Sequence, residues 1–398
     1  VTEFRVIETP EAFDEAVQRL IEGEGPIAVD AERASGFKYS QRAYLIQMFR
    51  RGSGTFLFDP TTIPDFTSLE AAVGGEEWVL HAASQDLACL REVGLDPERI
   101  FDTELAARLL GMPRVGLAAV VAELLDITLA KEHSAADWST RPLPDSWLTY
   151  AALDVELLVD VRDSLAERLA EAGKQELAAQ EFQAVLDKEA KPPAAEPWRR
   201  LSGIHGIRHG RNLAVARALW LARDSRASEL DVAPGRLVPD ASIIAVARTL
   251  PRTKRALADL REFTGRASRS ELERWWAAVE AGLADTDLPA VRVPSDAPPP
   301  PRAWAARHPE ADARLRLAKA AVAEEAERLV MPPENLLTPD FLRRVAWQPP
   351  ADTSAEGIRA ALAALGARPW QIDATAQRIA DAFVEAAQSV EDAAASDS

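Results

Sequence analysis

The chain has 398 residues, 47% of them hydrophobic, with a single cysteine and a formal net charge of −17. That length suits two or three domains with real cores, one cysteine excludes an internal disulfide, and no apolar run is long enough to cross a bilayer. The acid excess is uneven, about −17 over residues 1–195, about +4 over 196–287 and about −4 beyond, so its overall sign leaves open a nucleic-acid partner held on a local basic face. Val1-Thr2-Glu3-Phe4-Arg5 lacks the basic region and apolar core of a signal peptide, and a cytoplasmic protein is expected.

In chain order, residues 4–7 read as a strand, and Thr9-Pro10-Glu11 opens a helix through Leu20 with a capping hydroxyl, a first-turn proline and an acid. Residues 26–32 form an apolar strand that runs out into Asp30-Ala31-Glu32. Alternation puts Asp30 and Glu32 on the same side. Two neighbouring carboxylates repel unless a cation sits between them, and oxygen ligands suit Mg²⁺ or Mn²⁺. Residues 44–49 and 55–58 read as a hairpin turned at Arg50-Arg51-Gly52-Ser53-Gly54. Trp78-Val79-Leu80-His81 is a fourth strand, and the pattern from Gln85 to about Glu189 is helical. Antiparallel strands followed by strand–helix alternation predict an α/β fold, a mixed sheet with helices on its faces.

Proline-rich stretches divide the rest. The first domain spans residues 1–190, with a linker at 191–197. Residues 198–287 form an all-helical module, 288–301 a second proline-rich linker, and 302–390 another helical module. Residues 391–398 have nothing to bury and are expected to be disordered.

Two further stretches supply chemistry. In His81-Ala82-Ala83-Ser84-Gln85-Asp86, Asp86 falls in the first turn of a helix that follows a strand, where the helix dipole favours a carboxylate. Tyr150 and Asp154 are four apart on a later helix and share one face. Taken singly these are capping or surface features. Together with Asp30 and Glu32 they can converge at one end of the sheet, where open α/β sheets place their sites. Four carboxylates there call for two divalent cations, a pair that activates water and stabilises the leaving oxygen in phosphodiester cleavage. His81, ending a buried strand, reads as a structural histidine. His205 and His209 lack the cysteine or acid that would complete a zinc site.

In this order and spacing, Asp30-x-Glu32, the His81–Asp86 segment and Tyr150-x-x-x-Asp154 resemble the three exonuclease motifs of the ribonuclease D family. The branch is the one with tyrosine in the last motif, where a sister branch has histidine. Tyr44-Leu45-Ile46-Gln47, the segment from Lys131 to Asp137-Trp138, and Arg141-Pro142-Leu143 resemble the intervening family sequence, and the likeness covers residues 4–170. It implies a ribonuclease-H-like exonuclease domain followed by two HRDC-like domains. By the same resemblance Asp30, Glu32 and Asp154 hold the metal that activates water, Asp30 bridges to a second metal, and Asp86 holds that one through water. Tyr150 orients the attacking water without ionising, since a phenol titrates near pH 10. The implied activity is a 3′→5′ exoribonuclease that releases nucleoside 5′-monophosphates from RNA 3′ ends such as tRNA precursors. A lone chain with two tethered helical modules is expected to act as a monomer. Ala31 stands where the family has threonine, Ser146-Trp147 replaces a polar pattern, and Arg33 stands where an apolar residue often follows the glutamate. Arg33 is expected to point to solvent, with a substrate phosphate as its alternative partner.

In the first helical module Arg199, Arg200, Arg208, Arg211 and Arg217 cluster around Gly203-Ile204-His205-Gly206-Ile207 and form the expected RNA-holding surface, with solvated helix faces as the plain alternative. At least one of Trp275 and Trp276 is core. The second module is expected to pack against the first domain, with Trp304, Trp347 and Trp370 inside. DNA as substrate, and a catalytically silent nucleic-acid-binding protein, are the competing functions.

Overall fold

The computed structural model describes residues 4–129, 135–189, 192–263, 265–293 and 296–396. Val1-Thr2-Glu3, the start of the Lys131 segment, and parts of both linkers (190–191 and 294–295) lie outside that set. The first domain is built on β1 (Val6–Ile7), β2 (Glu24–Arg33), β3 (Ala43–Arg51), β4 (Gly54–Phe58), β5 (Glu77–Leu80) and β6 (Arg99–Asp102). They form one mixed sheet in the order β1-β4-β3-β2-β5-β6. The β2–β3 and β3–β4 pairs are antiparallel and the others parallel. Ile27, Ala28 and Val29 of β2 are buried in succession, as befits a strand covered on both faces.

The helices follow from local signals. Thr9 Oγ1 accepts the Ala12 N–H at 3.3 Å and starts α1 (Pro10–Glu22), two residues longer than expected. The others in this domain are α2 (Thr67–Val73), α3 (Leu87–Glu92), α4 (Thr103–Leu109), α5 (Leu117–Leu125), α6 (Asp145–Glu156), α7 (Leu158–Glu171) and α8 (Gln175–Leu186). The hairpin turn is tighter than expected, because Arg50 and Arg51 belong to β3 and Gly52 takes the left-handed conformation at φ 82°. Strand β6 corrects the expectation of helices alone after Gln85. Arg99-Ile100-Phe101-Asp102 is too short for a readable alternation, and its state is set by pairing with β5.

No strand occurs among the described residues beyond 195. The two helical modules share a plan. In the first, α9 (Gly210–Leu230) ends at Asp231 (φ 46°), and a one-turn helix, Pro234–Leu237, precedes Asp240–Thr249. In the second, Pro309–Arg328 ends before Val330 (φ 51°), and Pro333–Leu336 precedes Pro339–Trp347. Trp275 and Trp304 are fully buried and Trp370 is buried, but Trp276 and Trp347 are only half-buried. The final helix runs Pro369–Ser396, so residues 391–396 are helical where disorder was expected. Alanine-rich sequence extends an existing helix at little cost, since nucleation has already occurred. Asp397 and Ser398 lie outside the described residues.

Both modules dock on the first domain. The second shares its apolar core, and Glu181 on α8 accepts two hydrogen bonds from the Arg368 guanidinium at 2.6 Å and one from Trp370 Nε1 at 2.9 Å. The first grips the segment between β2 and β3. Arg236 lies 4.1 Å over the Phe37 ring and donates to Gly36 O at 2.7 Å, and the Ala233 N–H donates to Phe37 O at 2.9 Å.

Candidate active site

Strand β2 carries Asp30 and Glu32 to the end of the sheet, opposite Gln47 and Leu45 of β3. Gln47 is wholly buried, and neither polar atom of its amide has a partner among the described residues. Helix α6 lies against this end on Ala151, Ala152 and Val155, small or branched side chains that bring its backbone close. Tyr150 and Asp154 therefore face the β2 acids from one helical turn apart. One carboxylate oxygen from each of Asp30, Glu32 and Asp154 lies within 4.8 Å of the others.

Asp86 arrives by a different route. Ala82 takes the left-handed conformation at φ 64°, turning the chain after β5 into a short 3₁₀ segment, Ala83–Gln85, with Asp86 at its end. Asp102 fixes that turn, accepting the N–H groups of Ala82 at 3.1 Å and Ala83 at 2.9 Å as well as that of Leu105 at the start of α4. Asp86 thus sits at the N-cap of α3, with no capping hydrogen bond from its side chain. It shares a cavity of about 490 Å³ with Asp30, Glu32, Arg33, Tyr150 and Asp154. Asp102 is the functional support that sequence reasoning missed. Its signal is an Asp three residues before Leu105 at a helix start, and it shows only once β6 is known.

Burial raises every acid of the site, and neighbouring acids add to it at Glu32, Asp86 and Asp154. Desolvation and the nearby acids push Glu32 up to about 10. Burial and Asp30 lift Asp86 to about 8 and Asp154 to about 7. Asp30 is raised too, chiefly by burial, against an opposing hydrogen bond from the Ala31 backbone and the charge of Arg33. The Tyr150 hydroxyl, hydrogen-bonded to Asp154, is driven well above its ordinary value by burial and by the acids around it. A divalent cation fits this donor set: it supplies the positive charge that four crowded carboxylates lack.

His81 behaves as the sequence suggested. His81 Nδ1 lies 2.9 Å from the Thr103 hydroxyl, which also reaches Leu80 O at 3.1 Å. Burial lowers the ring to about 4, and it is neutral at pH 7. Arg33 departs from expectation: it lines the cavity, with Nη2 3.9 Å from Asp86 Oδ1.

The arginines of the first module do not act as one surface. Arg199 pairs with Glu196 at 2.6 Å and lies over Trp198, Arg217 pairs with Asp285 at 2.8 Å, and Arg211 donates to the carbonyls of Gly282 and Asp285. Arg200 and Arg208 are exposed and have no such partner among the described residues. His205 and His209 are exposed, and no metal-binding cluster includes them among the described residues.

Comparison with known proteins agrees with this arrangement. Residues 4–170 match the 3′-5′ exonuclease family, 212–279 the HRDC domain, and 297–383 the 3′ to 5′ exonuclease C-terminal domain. A ribonuclease D of Gluconacetobacter diazotrophicus is 30% identical over 87% of each chain. The chain belongs to the ribonuclease D family. It is accordingly a 3′→5′ exoribonuclease, a phosphodiester hydrolase of a divalent-metal-dependent class. A crystal structure of a protein from Bifidobacterium adolescentis superposes with a TM-score of 0.89 at 37% identity, covering 96% of this chain and 97% of that one. Escherichia coli RNase D, described as an exoribonuclease involved in structured RNA processing, shares the fold at 24% identity, with a TM-score of 0.70 over 96% and 99% of the two chains. Within the ribonuclease D plan seen here, the HRDC match falls on the first helical module and the exonuclease C-terminal match on the second. No helix among the described residues is long and apolar enough to cross a membrane.

Proposed function

We propose that this exoribonuclease removes one nucleotide at a time from RNA 3′ ends and releases nucleoside 5′-monophosphates, with Asp30, Glu32, Asp86 and Asp154 holding two divalent cations, Mg²⁺ or Mn²⁺. The observation that carries the reading is the meeting of Asp30, Glu32 and Asp154 oxygens within 4.8 Å. Bound ions of this kind neutralise the acids, make water a better nucleophile and stabilise the departing oxygen. The chain's own residues do the positioning. Tyr150 remains a phenol, donates to Asp154, and has hydroxyl lone pairs with which to orient the attacking water beside the last phosphodiester. Asp102 keeps the Ala82 turn in place and so holds Asp86 at the cavity.

Arg200 and Arg208, exposed on the first helical module, are the arginines of the cluster left to meet RNA phosphates. Structured RNAs such as tRNA precursors are the proposed substrates, taken by a monomer in the cytoplasm. The absence of any possible internal disulfide in a chain with one cysteine agrees with a reducing compartment.

The test is degradation of a 5′-labelled RNA, and of the matching DNA, with Mg²⁺ or Mn²⁺. A one-nucleotide ladder from the RNA 3′ end, abolished by EDTA and by Asp30→Asn, is expected. RNA binding without a ladder under either metal would sink the proposal, and faster degradation of the DNA would reassign the substrate.

A further inference from the structure

Simple alternation along β2 places Arg33, beside Glu32, on the face away from Asp30 and Glu32. The β2–β3 register shifts here, however, with Leu45 opposite Glu32 and Ala43 opposite Arg33, so that Tyr44 of β3 is the extra residue and regular pairing ends at Arg33. The guanidinium lines the cavity and comes to 3.9 Å from Asp86. That separation is a charge contact, too long for a hydrogen bond. No acid or carbonyl holds Arg33 by a hydrogen bond among the described residues. The pair is also one-sided: the Asp86 side chain is 9% exposed and that of Arg33 27%, so the cation approaches from the mouth and the acid belongs to the wall. Asp86 is the one acid of the four outside the tight cluster of Asp30, Glu32 and Asp154.

We propose that Arg33 is a built-in counter-cation for Asp86, competing with the second divalent ion and yielding that carboxylate when an RNA phosphate draws the guanidinium away. The inference rests on the two-ion reading above. A guanidinium and a divalent ion that share one buried carboxylate repel each other, because little water screens them. A planar guanidinium at the mouth also matches the oxygens of a phosphodiester in a way that an apolar residue does not. The second ion then binds weakly to the free protein and more tightly with RNA, and by linkage the ion strengthens RNA binding equally.

The experiment counts free Mn²⁺ by electron paramagnetic resonance in titrations of wild type, Arg33→Gln, Arg33→Lys and Asp30→Asn, without and with a dinucleotide whose bridging 3′ oxygen is replaced by methylene and which cannot be hydrolysed. Without the dinucleotide, the weaker site should tighten about tenfold in Arg33→Gln and stay within about twofold of wild type in Arg33→Lys. With it, the weaker site of wild type should tighten, a measurement that needs no variant, and that of Arg33→Gln should not. Equal weak-site affinity in wild type and Arg33→Gln, or no response of wild type to the dinucleotide, overturns the proposal. If Asp30→Asn still loses Mn²⁺ in that case, the metal-dependent reading of the site survives. No Mn²⁺ binding to wild type or to Arg33→Gln overturns both.

Discussion

The carboxylate of Asp231 accepts a hydrogen bond from the Tyr44 hydroxyl at 3.2 Å. Asp231 closes α9 of the first helical module, and Tyr44 precedes Leu45, the residue opposite Glu32. The same carboxylate takes the Ser40 N–H at 2.9 Å and faces Lys38 at 3.9 Å. The module is thereby fastened to the segment that leaves the β2 acids. Asp231→Asn suits the left-handed backbone there, since asparagine tolerates positive φ, and it removes the charge. It should cost about 1 kcal/mol of stability and lower kcat several-fold, and a double-mutant cycle with Tyr44→Phe should return a coupling of about 0.5–1.5 kcal/mol. Urea unfolding and single-turnover rates measure both. Strict additivity would mean that the contact does no more than decorate the interface.

Removing one acid should stabilise the protein in EDTA. Asp30 is half-buried and lies among Glu32, Asp86 and Asp154. Asp30→Asn relieves that repulsion with little change of shape, so the melting temperature in EDTA should rise, by the equivalent of ~1–2 kcal/mol. Wild type should gain from Mn²⁺ at a hundred times its Kd, by about 2.7 kcal/mol. Asp30→Asn should gain little. Calorimetry reads both, and an unstable Asp30→Asn in EDTA would contradict the repulsion.

The pH dependence has a definite sign. Glu32 is an acid raised in the folded state to about 10, so its protonated form favours folding. Its contribution is complete below the unfolded value near 4.5 and is lost as pH rises toward 10. In EDTA, Glu32→Gln should therefore become more stable relative to wild type between pH 5 and 9, by at most ~1.4 kcal/mol per pH unit. Metal binding must expel the same protons, together with those of Asp154 and Asp86 near 7 and 8, so Mn²⁺ affinity should climb over that window. Chemical denaturation across pH, with and without Mn²⁺, gives both slopes.

Tyr150→Phe keeps the ring that packs 6.5 Å from Trp138 and removes only the hydroxyl. On the water-orienting role proposed for the hydroxyl, its loss should lower kcat by about 10²–10⁴-fold, within the range for positioned proton-handling groups. Mn²⁺ binding should hold within a few-fold. A large loss of Mn²⁺ affinity would instead make the hydroxyl a support for Asp154.

Glu181 carries the docking of the second module. Its buried carboxylate satisfies Arg368 and Trp370 together, and Glu181→Ala would leave both donors without that acceptor. A loss of about 1.5–3 kcal/mol is expected, seen as an earlier and less cooperative thermal transition. Glu181→Gln, which still accepts hydrogen bonds, should lose less.

The acids of the cavity were readable because their types and order are specific even though each motif alone is weak: an acid pair on a strand, an acid after a second strand, a tyrosine and an acid on one helical face. The geometry that joins them was not local. Arg33 was sent to solvent by a period-two rule that ceases to hold where regular pairing ends at Arg33, and that end exists only when β3 is paired with β2. Strand β6, and with it the role of Asp102, depends on β5 as a template. Two arginines of the first module looked free because their partners are distant in the chain: Arg217 meets Asp285, 68 residues on, and Arg211 meets the Gly282 and Asp285 carbonyls. The helical extension past residue 390 was missed because a tail with nothing to bury was weighed by composition, and a neighbouring helix able to propagate into it was not.

Cys89, the only cysteine in the chain, lies one turn beyond Asp86, donates its S–H to the Asp86 carbonyl at 3.1 Å and is buried on the inner face of α3. Burial and the adjacent acid push the thiol up to about 12, so almost no thiolate exists at neutral pH while the helix is in place. Nature has thus fitted the chain with one silent chemical label, seated under the most delicately balanced of its four acids. An alkylating reagent will find it only when that helix opens, and the pace of its labelling reads the breathing of the active site directly.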